Sequence, residues 1–470
     1  MADGMRRTKI VCTLGPATST PERIRELVEA GMNVARLNCS HGNWAEKAEW
    51  IAAIRKLEPR LGPVAILADL QGPKFRLGEL PNGRLMLHVG EEITLGRDGE
   101  LPIEQDEVSA ALQPGDRVLL GDGEVEIGIL TRAGALAKGR VRNGGVVGSR
   151  KGITVFGKSF TVPAFGERDQ ADAREAIRLG CDLIALSYVR SPAEMEELKA
   201  FIQRETPPGQ RPALRCAKLE TREAVDNAAG VIRASDLVMV ARGDMGLQMD
   251  LEEVPLAQKA IIDEANHQAK PVITATQMLE TMMSRPRPTR AEASDVYNAI
   301  LDGTDAVMLS GETAAGEYPV ECVRTMDRIA RRAEGHYRWD RVAERYQAQS
   351  PEEVSDTEAL AFAVRELAYR CDAAAILALT TGGGTAQNVS KFRPQAPILA
   401  STTNATTLRQ LGAVWGVQAM LFEGEETVER AAAMWKNAGR LRTNDKVVAV
   451  AGLPAGQSGS TNYVRLYRVP

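Results

Sequence analysis

What most narrows the fold of this chain is a rhythm: short apolar runs that stop on polar residues, each followed by a stretch with a helix's apolar stripe. Residues 9–14 stop at Gly15-Pro16, 33–38 run into Cys39-Ser40-His41-Gly42, and 64–68 close on Asp69. The pattern resumes at 183–187, 214–219, 237–241, 271–275 and 305–309. Thr20-Pro21, Ser191-Pro192 with Glu194, and Thr289 with Glu292 carry helix-start chemistry: a capping oxygen, a proline at the first helical position, or a glutamate three residues on. Strands that alternate with helices build parallel sheets, and about eight such units close a (β/α)8 TIM barrel, with its active site at the C-terminal strand ends.

The polar residues sit at those ends. A strand's period of two puts Lys218 and Glu220 on one side, and the next run passes straight into Arg242-Gly243-Asp244. Two carboxylates and an ammonium at one barrel mouth suit a divalent cation and an anion; a surface salt bridge is the plainer reading. Arg36, Asn38 and Ser40 likewise alternate onto one side.

From Pro73 to about Arg168 the texture changes to glycine-rich turns and short alternating runs, which reads as an inserted all-β module, with Asp122 and Lys151 in its turns. It would serve as a lid over the strand ends, or be a structural decoration. From about residue 350 a separate α/β domain begins. The expected division is a discontinuous catalytic barrel at 1–72 and 169–340, a β-barrel lid at 73–168 and an effector-binding α/β domain at 350–470. In that last domain Thr380-Thr381-Gly382-Gly383-Gly384-Thr385 follows one strand and Ser458-Gly459-Ser460-Thr461 follows another. Such loops form backbone nests for a phosphate, or ordinary tight turns.

With 470 residues the chain has room for about three domains. A formal charge of -4 gives no reason to expect nucleic acid or an anionic membrane as partner. No run approaches a membrane span, and the six cysteines are scattered without C-x-x-C spacing, so a cytoplasmic protein with reduced thiols is expected.

The stretches 8–16, 31–42, 69–76, 217–220, 234–246, 270–280, 286–295 and 301–319 closely resemble the pyruvate kinase family, and the resemblance covers essentially the whole chain. It implies transfer of the phosphoryl group of phosphoenolpyruvate to ADP, giving pyruvate and ATP, and a fold of TIM barrel, inserted lid and C-terminal regulatory domain. By that resemblance Glu220 and Asp244 hold magnesium or manganese, and Lys218 lies on the phosphoryl group. Ala241, Arg242, Gly243 and Asp244 receive the substrate carboxylate. Thr276 stands near the carbon to be protonated, as the end of a water relay, because an alcohol is a poor acid. Arg36 and Arg76 clamp phosphates, and Thr13, Pro16, Asn38, His41 and Lys151 lie toward the nucleotide. In the lid, Thr154-Val155-Phe156-Gly157 departs from the family's usual Asn-Leu-Pro-Gly.

The resemblance also frames three finer expectations. Potassium-requiring members bind that ion at positions that here are Asn38, Ser40, Asp69 and the carbonyl of Leu70, beside a glutamate that is replaced here by Lys74. Leu70 itself stands where threonine is common. A second cation 4 Å from a fixed ammonium is repelled by about 4 kcal/mol at an effective dielectric of 20, so a potassium-independent enzyme is expected. The C-terminal loops would take a phosphorylated effector, whether sugar monophosphate, sugar bisphosphate or AMP, and the family suggests a homotetramer. Two other classes compete: a barrel lyase using a metal-bound enolate, and a sensor built on a dead barrel. The first would not need Lys151, Arg76 and a nucleotide lid; the second would be expected to lose Lys218, Glu220 or Asp244.

Overall fold

The computed structural model describes residues 5–158, 160, 162–337, 344, 354–424, 426–453 and 461–470. Eight parallel strands close a barrel: Lys9–Thr13, Val34–Asn38, Ala65–Asp69, Leu183–Leu186, Leu214–Leu219, Leu237–Ala241, Val272–Ala275 and Ala306–Leu309. Each pairs with its neighbours in sequence, and the last closes on the first with Lys9 opposite Ala306. Strands covered on both faces need apolar side chains at every position, which is why the runs read as continuous rather than alternating. Val11, Val34, Leu67, Ala185, Cys216, Met239, Ile273 and Met308 fill the barrel interior. Their neighbours Ile10, Leu37, Ile66, Ile184, Leu219, Val240 and Val307 face the surrounding helices.

The helix starts follow the capping chemistry. Thr20 Oγ1 accepts from Arg23 N at 3.3 Å, and Ser191/Glu194 and Thr289/Glu292 form reciprocal capping boxes, each worth about 1 kcal/mol. The helix Trp44–Leu61 carries Pro59 inside it. Proline is tolerated there because it falls in the last turn, which Gly62 closes by donating to Glu58 O at 3.0 Å.

The inserted segment has its own core, with Leu95, Val118, Ile127 and Val141 among its members. Among the described residues its strands lie in a six-stranded sheet and a two-stranded one, with one short α-helix, Asp106–Ala111. The segment 75–78 joins the two edges of the larger sheet, with Arg76 bridged to Gly152, Leu77 bridged to Ile103, and Gly78 N donating to Pro102 O at 2.8 Å. Register shifts at Glu126/Ile127 and Ile129/Thr131 turn the longest hairpin, and two acids in the first helical turn favour the helix dipole. The insertion leaves and re-enters the barrel through one narrow place, where Gly72 N donates to Asp169 Oδ1 at 3.0 Å.

The C-terminal domain is a five-stranded sheet in the order Val417–Leu421, Ile398–Thr402, Ala375–Leu379, Lys446–Gly452, Thr461–Arg468, the last antiparallel. It docks on the N-terminal face of the barrel, away from the polar strand ends. Buried Arg393 reaches Asp305, Gly303 O and Asn266 Oδ1, and Arg409 meets Asp182 at 2.8 Å. Asp182 and Asp305 immediately precede barrel strands, and each also accepts a strand backbone N–H, from Ile66 and Val272. Among the described residues no helix is long and apolar enough to cross a membrane.

Candidate active site

The inward parity that fills the barrel with Val11, Val34, Leu67, Ala185 and Cys216 continues two residues further along each strand. It brings Thr13, Arg36, Asp69, Ser187 and Lys218 to the mouth. They form one polar chain. Arg36 donates from Nη1 to Thr13 Oγ1 at 3.0 Å and from Nε to Asp69 Oδ2 at 2.6 Å. Lys218 Nζ stands 3.7 Å from Asp69 Oδ1, 3.3 Å from Glu220 Oε2, and donates to Ser187 Oγ at 2.7 Å. Burial alone would lower the Lys218 pKa, but Asp69, Glu220 and Asp244 together hold it well above the usual lysine range. Asp69 is buried too, and Lys218 and Arg36 nonetheless keep its carboxylate below the ordinary value.

Glu220 is the unbalanced member. Burial raises its pKa, and Lys218 is a single cation set against the repulsion of Asp244 and Asp69. Its Oε1 accepts from Tyr188 N at 2.7 Å, while its Oε2 is buried without a hydrogen bond. An orphaned carboxylate oxygen facing a second carboxylate fits a divalent cation, whose remaining positions substrate and water can fill. Among the described residues no group of three or more His, Cys, Asp or Glu forms a closed metal cage. Lys74 Nζ lies 4.0 Å from Asp244 Oδ1, so its ammonium stands on this side of the mouth. The oxygens considered for a monovalent cation are largely engaged elsewhere: Asn38 Oδ1 accepts from Ser40 N, and Leu70 O from Ser187 Oγ. Asp69 Oδ1 is buried without a hydrogen bond.

After the strand Leu237–Ala241, a single helical turn, Arg242–Met245, carries Gly243 and Asp244. Gly243 N donates to Thr276 Oγ1 at 2.8 Å, and that hydroxyl donates to Ala275 O at 2.6 Å. Thr276 has a φ of 68°, a left-handed conformation that turns its side chain onto this loop. The Arg242 guanidinium is committed to Asp295 at 2.7 Å and to Thr276 O at 2.6 Å, so it braces two loops and leaves only its backbone to the mouth.

His41 is held below its ordinary pKa by partial burial and by Arg76, Lys74, Arg36 and Lys47, a cationic surround suited to a polyphosphate. Arg76 donates to Arg150 O at 3.2 Å. Pro16 is exposed and follows Gly15, where a Cβ would come within 2.6 Å of Ala314 O, so only glycine lets this turn pass. Lys151 is exposed in the lid, and Asp122 lies where its charge is felt by Glu280 of the barrel. The lid touches the barrel through Arg117 and Asp250, 3.6 Å apart.

In the C-terminal domain Gly383 N donates to Thr380 Oγ1 at 2.9 Å and Thr381 O accepts from Thr407 Oγ1 at 2.9 Å. Thr385 Oγ1 lies 3.1 Å from Thr461 Oγ1, and Arg211 of the barrel donates to Gly382 O at 2.7 Å. Ser458, Gly459 and Ser460 lie outside the described residues. Ser187 and Tyr188 were not singled out from the sequence. The usable signal was the inward parity of the fourth strand, carried one step past Ala185.

Residues 5–323 match the model of the pyruvate kinase barrel domain, and 358–467 that of the pyruvate kinase alpha/beta domain. The chain is 41% identical to the pyruvate kinase of Geobacillus stearothermophilus over 478 residues, covering 98% of this chain and 80% of that protein. The pyruvate kinases of Staphylococcus saprophyticus and Bacillus licheniformis are 39% and 40% identical, over 99% of this chain and 81% of theirs. With both domain models matched and near-complete alignments around this barrel mouth, the chain belongs to the pyruvate kinase family of phosphotransferases.

Proposed function

We propose that this protein transfers the phosphoryl group of phosphoenolpyruvate to ADP with magnesium and without potassium, as a cytoplasmic homotetramer, under control of a phosphorylated effector. The observation that carries the catalytic reading is Lys218 Nζ, an ammonium buried at the barrel mouth within 3.3 Å of Glu220 Oε2. Glu220 and Asp244 would hold a divalent cation, which would supply positive charge to the bound substrate. Lys218 meets the charge that spreads over the equatorial oxygens during transfer. Arg36, fixed by Thr13 and Asp69, presents its remaining N–H groups to phosphate, with Arg76 across the mouth. When the substrate carboxylate binds, Gly243 N is released to it from Thr276 Oγ1, which frees a lone pair of that hydroxyl to accept from water while its own proton turns from Ala275 O toward the substrate. His41, Asn38, Pro16 and Lys151 border the nucleotide. Potassium is unnecessary because Lys74 brings a fixed charge, and because Leu70 O and Asn38 Oδ1 already have partners. The loop at 380–385, tied to the barrel by Arg211, supports the regulatory reading.

Pyruvate formation from phosphoenolpyruvate, measured with and without ADP and magnesium in a tetramethylammonium buffer, tests the reading. ADP-dependent pyruvate without added potassium is expected. No ADP-dependent pyruvate overturns the catalytic reading, and a large stimulation by potassium overturns the cation reading. A monomer in sedimentation removes the tetramer. Saturation curves unmoved by glucose 6-phosphate, fructose 1,6-bisphosphate, ribose 5-phosphate and AMP remove the effector.

A further inference from the structure

We propose that Ser187 is a positioning residue for phosphoryl transfer: its hydroxyl holds the Lys218 ammonium from behind while the phosphoryl group meets it in front. This rests on the role proposed above for Lys218.

Ser187 follows the fourth strand, Leu183–Leu186, and is 1% exposed. Its hydroxyl has one proton, donated to Leu70 O at 2.7 Å. Leu70 is itself tied to the fourth strand, its N–H donating to Ala185 O at 2.9 Å. Ser187 Oγ can therefore only accept from Lys218, and it does so at 2.7 Å. The other neighbours of Nζ are carboxylate oxygens at 3.3 and 3.7 Å, beyond good hydrogen-bond length. Once Glu220 serves a divalent cation its Oε2 is no longer available to Nζ, and Ser187 is the contact that remains.

The next residue extends the same device. Tyr188 has a φ of 55°, and in that left-handed turn its N–H donates to Glu220 Oε1 at 2.7 Å. One dipeptide thus holds both the ammonium and the carboxylate beside it. The lid hinge rests on it directly, since a Cβ at Gly72 would lie 2.9 Å from Ser187 Cβ and 3.1 Å from Ser187 O.

The test compares Ser187→Ala and Ser187→Cys with the wild type and with Lys218→Met, reading kcat, the KM for phosphoenolpyruvate and the melting temperature. Loss of a hydrogen bond to a charged group predicts a kcat lower by about 10- to 100-fold in both serine variants. KM should stay within about threefold, since positioning acts on the transition state rather than on uniform binding. The cysteine variant keeps the side-chain volume and carries the test if the alanine variant does not fold. A kcat within about threefold of wild type in the folded variants overturns the proposal, as does a kcat loss that merely tracks the fall in melting temperature. An active Lys218→Met enzyme sinks the reading of Lys218 and this proposal with it. An inactive Lys218→Met beside fully active serine variants sinks this proposal alone.

Discussion

Arg393 of the C-terminal domain grips Asp305 of the barrel with both ends of its guanidinium, Nη1 to Oδ1 at 2.8 Å and Nη2 to Oδ2 at 3.1 Å, with both side chains buried. The same arginine donates to Gly303 O and stands 4.9 Å from the Trp415 ring. Asp305 has little freedom of its own, since its Oδ2 also accepts from Val272 N at 3.0 Å.

Removing one partner of such a pair strands a buried charge, at a cost of about 3 to 5 kcal/mol. Arg393→Met is accordingly expected to loosen the docking of the C-terminal domain, and calorimetry should show a broadened or divided transition starting below that of the wild type. A single transition at the wild-type temperature would show that the grip contributes nothing.

Lys218→Met should lower turnover by about 100- to 1000-fold, the usual loss when a preorganised charge is removed from a transition state. It also leaves Asp69 and Glu220 facing each other, so the melting temperature falls with it. Near wild-type turnover in steady-state assays would refute the role.

Lys74→Glu replaces an ammonium 4.0 Å from Asp244 Oδ1 by a carboxylate. The variant should respond about tenfold to potassium over tetramethylammonium at constant ionic strength, where the wild type barely responds. Equal indifference in both enzymes would mean that Leu70 and its engaged carbonyl, rather than Lys74, exclude the ion.

Lys9 donates from Nζ to Val417 O at 2.6 Å at the domain junction, and burial, reinforced by Arg6, lowers its pKa to about 7. An unfolded lysine keeps its proton to about 10.5. Between those values the unfolded state binds more protons, so stability from this group rises with pH across that window, by at most about 1.4 kcal/mol per unit. Lys9→Met should flatten the rise in melting temperature between about pH 7 and pH 10. An unchanged slope would place the titration elsewhere.

The barrel was legible because strands buried on both faces announce themselves as short runs such as Leu237–Ala241, and because their ends carry charge. The strands at Val417–Leu421 and Thr461–Arg468 were missed since both lie at sheet edges, half exposed, where the apolar signal thins. At the site, Lys218, Glu220 and Asp244 stood out as charges where a core wants none. Ser187 did not, because a serine after a strand is unremarkable until its neighbours in space are known. Nor could the sequence tell that the Arg242 guanidinium would be spent on Asp295, a partner 53 positions away.

The single narrow passage at Gly72 and Asp169 has a consequence for how such a molecule could have been assembled. The outgoing and returning chains meet where Gly72 N donates to Asp169 Oδ1, and closure cost grows slowly with the length of what lies between. The insertion behaves as a graft on a stem. It could lengthen, shrink or be exchanged for another module while the barrel strands kept their register, so that cover and catalyst were free to evolve at different rates.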